Sequence, residues 1–502
     1  MNNLQIMDTT LRDGEQTSGV SFSASEKLSM AKVLLDDVRV DYIEVASARV
    51  SDGEFEAAKN IIAWAADRGL EDRVEVLGFV DKGTSIDWVK RAGGKVLNLL
   101  TKGSLNHVTH QLRKSPEEHL ADVRQAVHEA KAAGLTVNVY LEDWSNGMRN
   151  SKDYVHFLLK GLHDLPIQRF MLPDTLGVLN PDDTFRFCKE MVDTYPDLHF
   201  DFHPHNDYDL AIANVYQALK AGMRCMHTTV NGLGERAGNA PLSSVIGMVN
   251  DLTDLKSNIN ERMLTRASRL VESFSGVRIP GNKPIIGEFV FTQCSGVHAD
   301  GDNKNNLYFN ALLPERFGRT RSYALGKTSG KANIKANLAD VGIELTPEQL
   351  NIVTERVIEL ADRKESVTVD DLPFIVADVM QEEVETKIWL ENYALTHAKG
   401  IKPMATVRIN ISGEPYEASA SGEGQYDAFV NALESIYERL GKPFPQLTDY
   451  SVSIPPGGHT DALVETIISW KLNREFKTRA LDPDQTVAAI KATIRMLNII
   501  EE

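Results

Sequence analysis

From residue 4 to about 255 the chain alternates short strand-like runs with amphipathic stretches, and it does so eight times. The strand-like runs fall at 4–8, 41–46, 74–79, 96–100, 137–142, 169–174, 199–203 and 225–231. Eight strand–helix units in about 250 residues is the arithmetic of a (β/α)8 barrel. An open doubly wound sheet is the competing architecture, but no G-x-G-x-x-G follows the first strand. Ser23, with Glu26 three residues on, reads as a capping box opening the first helix, whose buried stripe is Leu28, Ala31, Leu35 and Val38.

A barrel of this kind carries its chemistry on the C-terminal ends of its strands. The residues expected there are Arg12 and Asp13, Glu44 and Ser47, Thr101 and Lys102, Glu142 and Asp143, Asp174 and Thr175, His203, His205 and Asn206, and Asn231, Glu235 and Arg236. Any one of them has a bland reading, such as a helix cap for Asp174 or Thr175. The gathering of so many polar groups at one rim does not. His203 and His205 stand at i and i+2 on a strand and so share a face. With Asp13 they make a nitrogen and oxygen donor set without thiolate, suited to Mg²⁺, Mn²⁺, Co²⁺ or Zn²⁺ with positions left open. Open positions allow a 2-oxo acid to chelate the cation through its carboxylate and ketone oxygens. Arg12 can then stabilise a developing alkoxide, and Glu142 can orient or deprotonate the nucleophile's donor.

The chain's 502 residues exceed one ordinary core, and its pattern divides it into a barrel at 1–280, a linker region at 281–380 and a C-terminal domain at 381–502. Pro280, Gly281, Pro284 and Gly287 punctuate the start of the linker, around a run at 285–291 expected to be extended. A basic cluster follows: Arg316, Arg319, Arg321, Lys327, Lys331 and Lys335. Gly326-Lys327-Thr328 looks like the end of a phosphate-binding loop, but the glycine such a loop requires is replaced by Arg321. A phosphate-bearing ligand and a solvated basic face are the two readings of this cluster. The C-terminal part reads as βββα twice, an internal repeat with a crevice between its halves. A formal charge of −17 argues against nucleic acid as a partner. No apolar run approaches a membrane span, and the N-terminus enters a strand without a leader pattern, so a cytoplasmic enzyme is expected. The three cysteines, Cys188, Cys225 and Cys294, are expected to be buried free thiols.

The opening Asp8-Thr9-Thr10-Leu11-Arg12-Asp13-Gly14-Glu15-Gln16, the strand His203-Pro204-His205-Asn206-Asp207 and the loop 231–239 resemble the acyl-CoA Claisen-condensing synthases. That family includes isopropylmalate, homocitrate and citramalate synthases. The resemblance runs through the whole chain and includes 296–302, 325–331 and 455–462. It implies that acetyl-CoA condenses with a 2-oxo acid. The runs 96–104 and 140–147 point to pyruvate on a route to isoleucine, with 2-oxoisovalerate the alternative substrate. It also implies that Asn239 joins Asp13, His203 and His205 around the metal, and that Arg12 polarises the keto acid. Thr175 would bind the substrate carboxylate, Glu142 would assist proton transfer, and Leu77, Leu100 and Tyr140 would enclose the methyl group of pyruvate. His298 would serve the acetyl-CoA half-reaction in the partner subunit's active site, which implies a homodimer. Tyr426, Asp427, Leu447, Tyr450, Ile454, Thr460, Val464, Pro483 and Gln485 would line an effector pocket for isoleucine. The sequence departs from the family pattern at Pro204, where a small residue usually separates the two histidines. A change in barrel closure or metal affinity is expected there.

Overall fold

The computed structural model describes residues 4–295, 298, 300–301, 307–340, 343–362, 367, 369–380, 387–398, 400–453 and 464–501. Eight parallel strands close on themselves in chain order: β1 (Gln5–Asp8), β2 (Tyr42–Ser47), β3 (Val74–Phe79), β4 (Val96–Lys102), β5 (Thr136–Glu142), β6 (Ile167–Asp174), β7 (Phe200–Pro204) and β8 (Cys225–Thr228). β8 pairs back onto β1, with Ile6 opposite Met226 and Asp8 opposite Thr228. The expected barrel is therefore the fold. Strand residues Ile43, Val45, Val76, Leu97, Leu99, Val137 and Val139 share one continuous core with helix residues such as Ala31, Ile61, Val89, Val123 and Leu158. Burial on both faces is why these strands read as nearly unbroken apolar runs.

The first helix, Ala24–Lys32, begins at the expected capping box. Glu26 N–H donates to Ser23 Oγ at 3.3 Å, and Ser23 N–H donates to Glu26 Oε2 at 2.7 Å. Ala31, Leu35 and Val38 are buried and Leu28 packs partly against them.

Several details differ from expectation. β8 ends at Thr228, short of 231, because Asn231 turns into the left-handed region (φ 61°) and its Nδ2 donates to Ser268 O at 2.9 Å. The run 285–291 is not extended. Phe289 N–H donates to Gly281 O and Gly287 N–H to Lys283 O, both at 2.8 Å, so the segment coils into successive turns. Ile285 takes a positive φ of 71° there. Arg316 is tied to Glu261 and Asp251, and Arg319 donates to the carbonyls of Gly287 and Glu288, so these two members of the basic cluster serve to fold this segment. Pro204 does not disturb barrel closure. It pairs with Asp174 at the end of β7, and its carbonyl accepts the Ala240 N–H at 3.3 Å. Cys188 and Cys225 are buried, whereas Cys294 is exposed, contrary to expectation, in the coil after a two-residue strand.

The chain forms two compact units, 1–291 with 309–321, and 292–308 with 322–502. In the second, short strands β9 (Thr292–Gln293) and β10 (Ser322–Tyr323) pair in parallel, and helices Lys331–Asp340, Pro347–Asp362 and Leu372–Met380 build a small core around Ile334, Val353, Val357 and Leu372. The βββα repeat follows as expected. Strands β11 (Ile388–Ala398), β12 (Ile401–Ile411) and β13 (Glu414–Ser421) form an antiparallel sheet before helix Gln425–Arg439. Strands β14 (Gln446–Ser453), β15 (Val464–Lys471) and β16 (Glu475–Asp482) form another before helix Gln485–Ile500. Val407, Ile409, Phe429, Leu433, Ile468, Trp470 and Met496 share the core of this repeat. Among the described residues no helix is long and apolar enough to cross a membrane.

Candidate metal centre at the barrel mouth

After β1 the backbone folds into a tight loop in which Asp13 N–H donates to Thr9 O at 2.8 Å, and Thr9 N–H donates across to Thr228 O at 2.8 Å. This loop delivers Arg12 and Asp13 to the mouth. Asp13 is buried, with His203 Nε2 2.9 Å and His205 Nε2 3.7 Å from its Oδ2. Asn239 pairs with His205 through a backbone bridge, which brings the loop 231–239 onto the same centre.

Some donor atoms in this cluster lack partners. Oδ1 of Asp13 and Oδ1 of Asn239 are buried without a hydrogen-bond partner, and Oδ2 of Asp13 has ring nitrogens of both histidines beside it. Unsatisfied buried polar atoms are costly, so their convergence needs an occupant. Asp13, His203 and His205 can each offer one ligand atom within 4.8 Å of the others, and the set of imidazole and oxygen donors fits a divalent cation. Electrostatics favour the same reading. Burial pushes Asp13 up, but Arg12 and His203 outweigh it and hold the carboxyl below its usual range. Burial lowers both histidines, His205 to about 4, which keeps the imidazoles neutral with lone pairs to offer.

Arg12 is aimed by Glu44, whose Oε2 accepts the Arg12 Nε–H at 2.5 Å. Glu44 is itself fully buried and accepts a second bond from Asn98 Nδ2 at 2.7 Å. Tyr140 stands between Arg12 and the histidines. The guanidinium carbon lies 5.9 Å from its ring centroid, and the rings of His203 and His227 meet it edge-on. Leu77 and Tyr140 are buried in one small apolar cluster with Met7, Met171 and Cys225, against which Leu100 packs. Thr175 Oγ1 accepts the Asp143 N–H at 2.9 Å, leaving the hydroxyl proton free to donate. Glu142 forms an ion pair with Lys102, and both line a cavity of about 360 Å³ with Leu100, Lys114 and His119.

The loop 231–239 can reach the centre only with glycine at two positions. A Cβ on Gly234 (φ 149°) would run into Asn239 Nδ2, and one on Gly238 (φ 82°) would run into Gly232 O.

Beneath the mouth lies a polar layer that sequence reasoning missed. Arg169, fully buried, bonds both Glu75 and Asp201, and His227 Nε2 lies 3.1 Å from Asp201 Oδ2. Asp201, Cys225 and His227 have the composition of a second metal site, but the guanidinium already supplies the cation, 2.7 Å from Asp201 and 3.6 Å from Cys225 Sγ. The available signal was position: Asp201 and His227 fall on inward-facing sites of β7 and β8, on the same face as His203.

In the second unit, His298 stacks on Tyr308 at 4.2 Å between centroids, with its Nδ1 3.2 Å from Gln293 Oε1. Of the expected effector residues, Tyr426 lies 5.5 Å from Tyr450 between ring centroids and bonds Thr493 Oγ1 at 2.8 Å. Asp427 is exposed and accepts the Glu423 N–H at 2.7 Å. Val464 is buried, whereas Leu447, Pro483 and Gln485 are exposed. Ile454 and Thr460 lie outside the described residues.

Fold and site together define a barrel enzyme built around a candidate divalent-cation centre at its strand ends. Residues 3–271 match the HMGL-like family model, 285–365 the homocitrate synthase post-HMGL domain-like model, and 366–501 the LeuA allosteric (dimerisation) domain. The chain is 37% identical to a probable 2-isopropylmalate synthase of Methanopyrus kandleri, covering 99% of this chain and 98% of that one. It is 34% identical to the (R)-citramalate synthase CimA of Methanocaldococcus jannaschii, covering 99% of each. The 2-isopropylmalate synthase of the same organism is 33% identical, covering 99% of this chain and 94% of that one. An HMG-CoA lyase of Bacillus subtilis shares the barrel fold, with a TM-score of 0.50 and 23% identity over 58% of this chain and 99% of that one. The chain belongs to the HMGL-like family and, along its whole length, to the synthases within it. It is a condensing enzyme of the acyltransferase type.

Proposed function

We propose that the protein condenses acetyl-CoA with pyruvate and water to give (R)-citramalate and free CoA, as a homodimer that responds to isoleucine. Relatives named for citramalate and for isopropylmalate are about equally similar, so identity does not choose the oxo acid. The observation that supports pyruvate is the bulky cluster of Leu77, Tyr140, Met7 and Met171, with Leu100 against it, whose Tyr140 meets Arg12 and His203. A methyl group suits such surroundings, and the branched chain of 2-oxoisovalerate would have to displace packed side chains.

Asp13, His203, His205 and Asn239 would hold the divalent cation, magnesium, manganese, zinc or cobalt. When bound, the cation supplies Lewis-acid polarisation of the ketone. Arg12, held by Glu44, donates its guanidinium protons to the oxygen that becomes the alkoxide. Thr175 donates its free hydroxyl proton to the substrate carboxylate. Glu142, paired with Lys102, manages the proton lost from the acetyl methyl group. His298 acts on the acetyl-CoA side of the reaction in the partner subunit, and the 366–501 match to a dimerisation domain supports that assembly. Tyr426, Asp427, Leu447, Tyr450, Val464, Pro483 and Gln485 would form the effector site.

The test is CoA release from acetyl-CoA with pyruvate and 2-oxoisovalerate offered separately. A strong preference for pyruvate is expected. A preference for 2-oxoisovalerate would overturn the substrate assignment and make isopropylmalate the product.

A further inference from the structure

His227 is not among the candidate ligands, yet its ring lies against one of them. His203 Nδ1 and His227 Nδ1 face each other at 3.1 Å, and the two rings stand 5.2 Å apart between centroids, close to perpendicular. Two ring nitrogens at that distance share one proton: two bare lone pairs would repel, and two N–H groups would collide. The far side of His227 decides which nitrogen carries it. Nε2 of His227 points at Asp201 Oδ2, 3.1 Å away, and Arg169 Nη1 lies 2.7 Å from the same oxygen. Beside a guanidinium Asp201 is ionised and can only accept, so His227 Nε2 carries the proton. With that proton on Nε2, His227 presents Nδ1 as an acceptor to His203 Nδ1–H, and His203 Nε2 is left bare 2.9 Å from Asp13 Oδ2, the carboxylate with which it would share the cation. The Tyr140 hydroxyl, 3.2 Å from the same nitrogen, has Glu44 Oε2 at 3.5 Å as its other acceptor.

We propose that His227 is a positioning residue that, backed by Asp201 and Arg169, fixes the tautomer of His203 so that its Nε2 lone pair faces the cation. The chain runs from Arg169 to Asp201 to His227 to His203, every member buried. It is built by strand geometry. Asp201 and His203 alternate onto the inner face of β7, Cys225 and His227 onto that of β8, and the strands are in register at Asp201 and Cys225. An outer partner of this kind orients a ligand imidazole and raises its basicity, and its loss typically weakens metal binding about 10–100-fold.

This inference rests on the metal centre of the proposed function, and the test separates the two. Apoprotein is titrated with Co²⁺ against a chromophoric chelator. His203→Ala is the control: binding as tight as wild type there would refute the centre itself, and the inference with it. Given a centre, His227→Leu should weaken Co²⁺ binding about 10–100-fold. His227→Asn, whose side-chain oxygen falls near the lost Nδ1 and can accept from His203, should stay within about fivefold of wild type. Unchanged affinity in His227→Leu, or an equal loss in both variants, would overturn the positioning role. Should the leucine variant not fold, nitrogen NMR of histidine-labelled wild type with Zn²⁺ reads the same point. A proton retained on His203 Nδ1 is expected, and a bare Nδ1 would overturn the proposal.

Discussion

Glu44 Oε2 accepts the Nε–H of Arg12 at 2.5 Å, with the carboxylate fully buried and the guanidinium at the rim of the site. The pair converts a long flexible side chain into a directed donor. Burial works against the charge, but Glu44 and Asp13 outweigh it and leave Arg12 cationic throughout the accessible pH range, so its role is positional and electrostatic.

The first prediction follows. Arg12→Lys keeps the charge but loses the fork that Glu44 orients, and kcat should fall about 10²–10³-fold with a smaller change in KM. Glu44→Gln leaves Arg12 in place with a weaker anchor and should lower kcat less. Steady-state kinetics of both variants, with unfolding curves as a control for stability, checks the order.

Removal of the cation should cost stability as well as activity. The buried Oδ1 atoms of Asp13 and Asn239 have no partner without it. A cation present at about 100 times its dissociation constant stabilises the folded state by about 2.7 kcal/mol. Denaturant titration with and without chelator should show that difference in wild type and little of it in Asp13→Asn. An equal chelator effect in both would place the cation elsewhere.

Much of this site can be read in the sequence, and the reason is local. Each barrel strand is a short apolar run followed at once by its rim residues, so strand limits and candidate ligands appear together; Arg12, Asp13, His203 and His205 are all of this kind. The capping box at Ser23 and Glu26 is likewise a pattern three residues long. What escaped reading depends on pairings between distant strands. Arg169 meets Glu75 across 94 positions, and nothing near either residue marks the partner. The run 285–291 misled for a different reason: its apolar residues suit an extended chain, but Pro284 and Gly287 let it curl, and Ile285 and Ile286 still reach the core.

The buried layer gives a pH dependence. Burial pushes Glu75 up to about 7, although Arg169 opposes it. The folded state then holds this proton more tightly than the unfolded chain, whose glutamate titrates near 4.5. Stability from the protonated form is fully present below about pH 4.5 and is lost as pH rises through about 7, an effect on the order of 3 kcal/mol. Glu75→Gln keeps an acceptor for Arg169 and should flatten the stability profile across that window. An unchanged slope would mean that Glu75 is ionised in the folded protein.

Gly238 has a φ of 82°, and a side chain there would meet the carbonyl of Gly232. Gly238→Ala should therefore destabilise by about 1–3 kcal/mol through backbone strain. It should also weaken metal binding, because Asn239 is the next residue. Stability and Co²⁺ affinity are expected to fall together; loss of stability alone would detach Asn239 from the centre.

Specificity offers the last and most direct prediction. Leu100 is only partly buried and packs against the cluster of Leu77, Tyr140 and Met171, so it can be shortened with less damage than the fully buried members. Leu100→Ala removes three carbons from the wall assigned to pyruvate's methyl group. A few methylenes in an apolar pocket are worth about 1–3 kcal/mol of discrimination. The ratio of kcat/KM for pyruvate to that for 2-oxoisovalerate should fall about 10–100-fold in the variant, chiefly through a gain with the branched acid. If both substrates lose equally, Leu100 supports the site without measuring the substrate, and the selective wall must be sought among Leu77, Tyr140 and Met171.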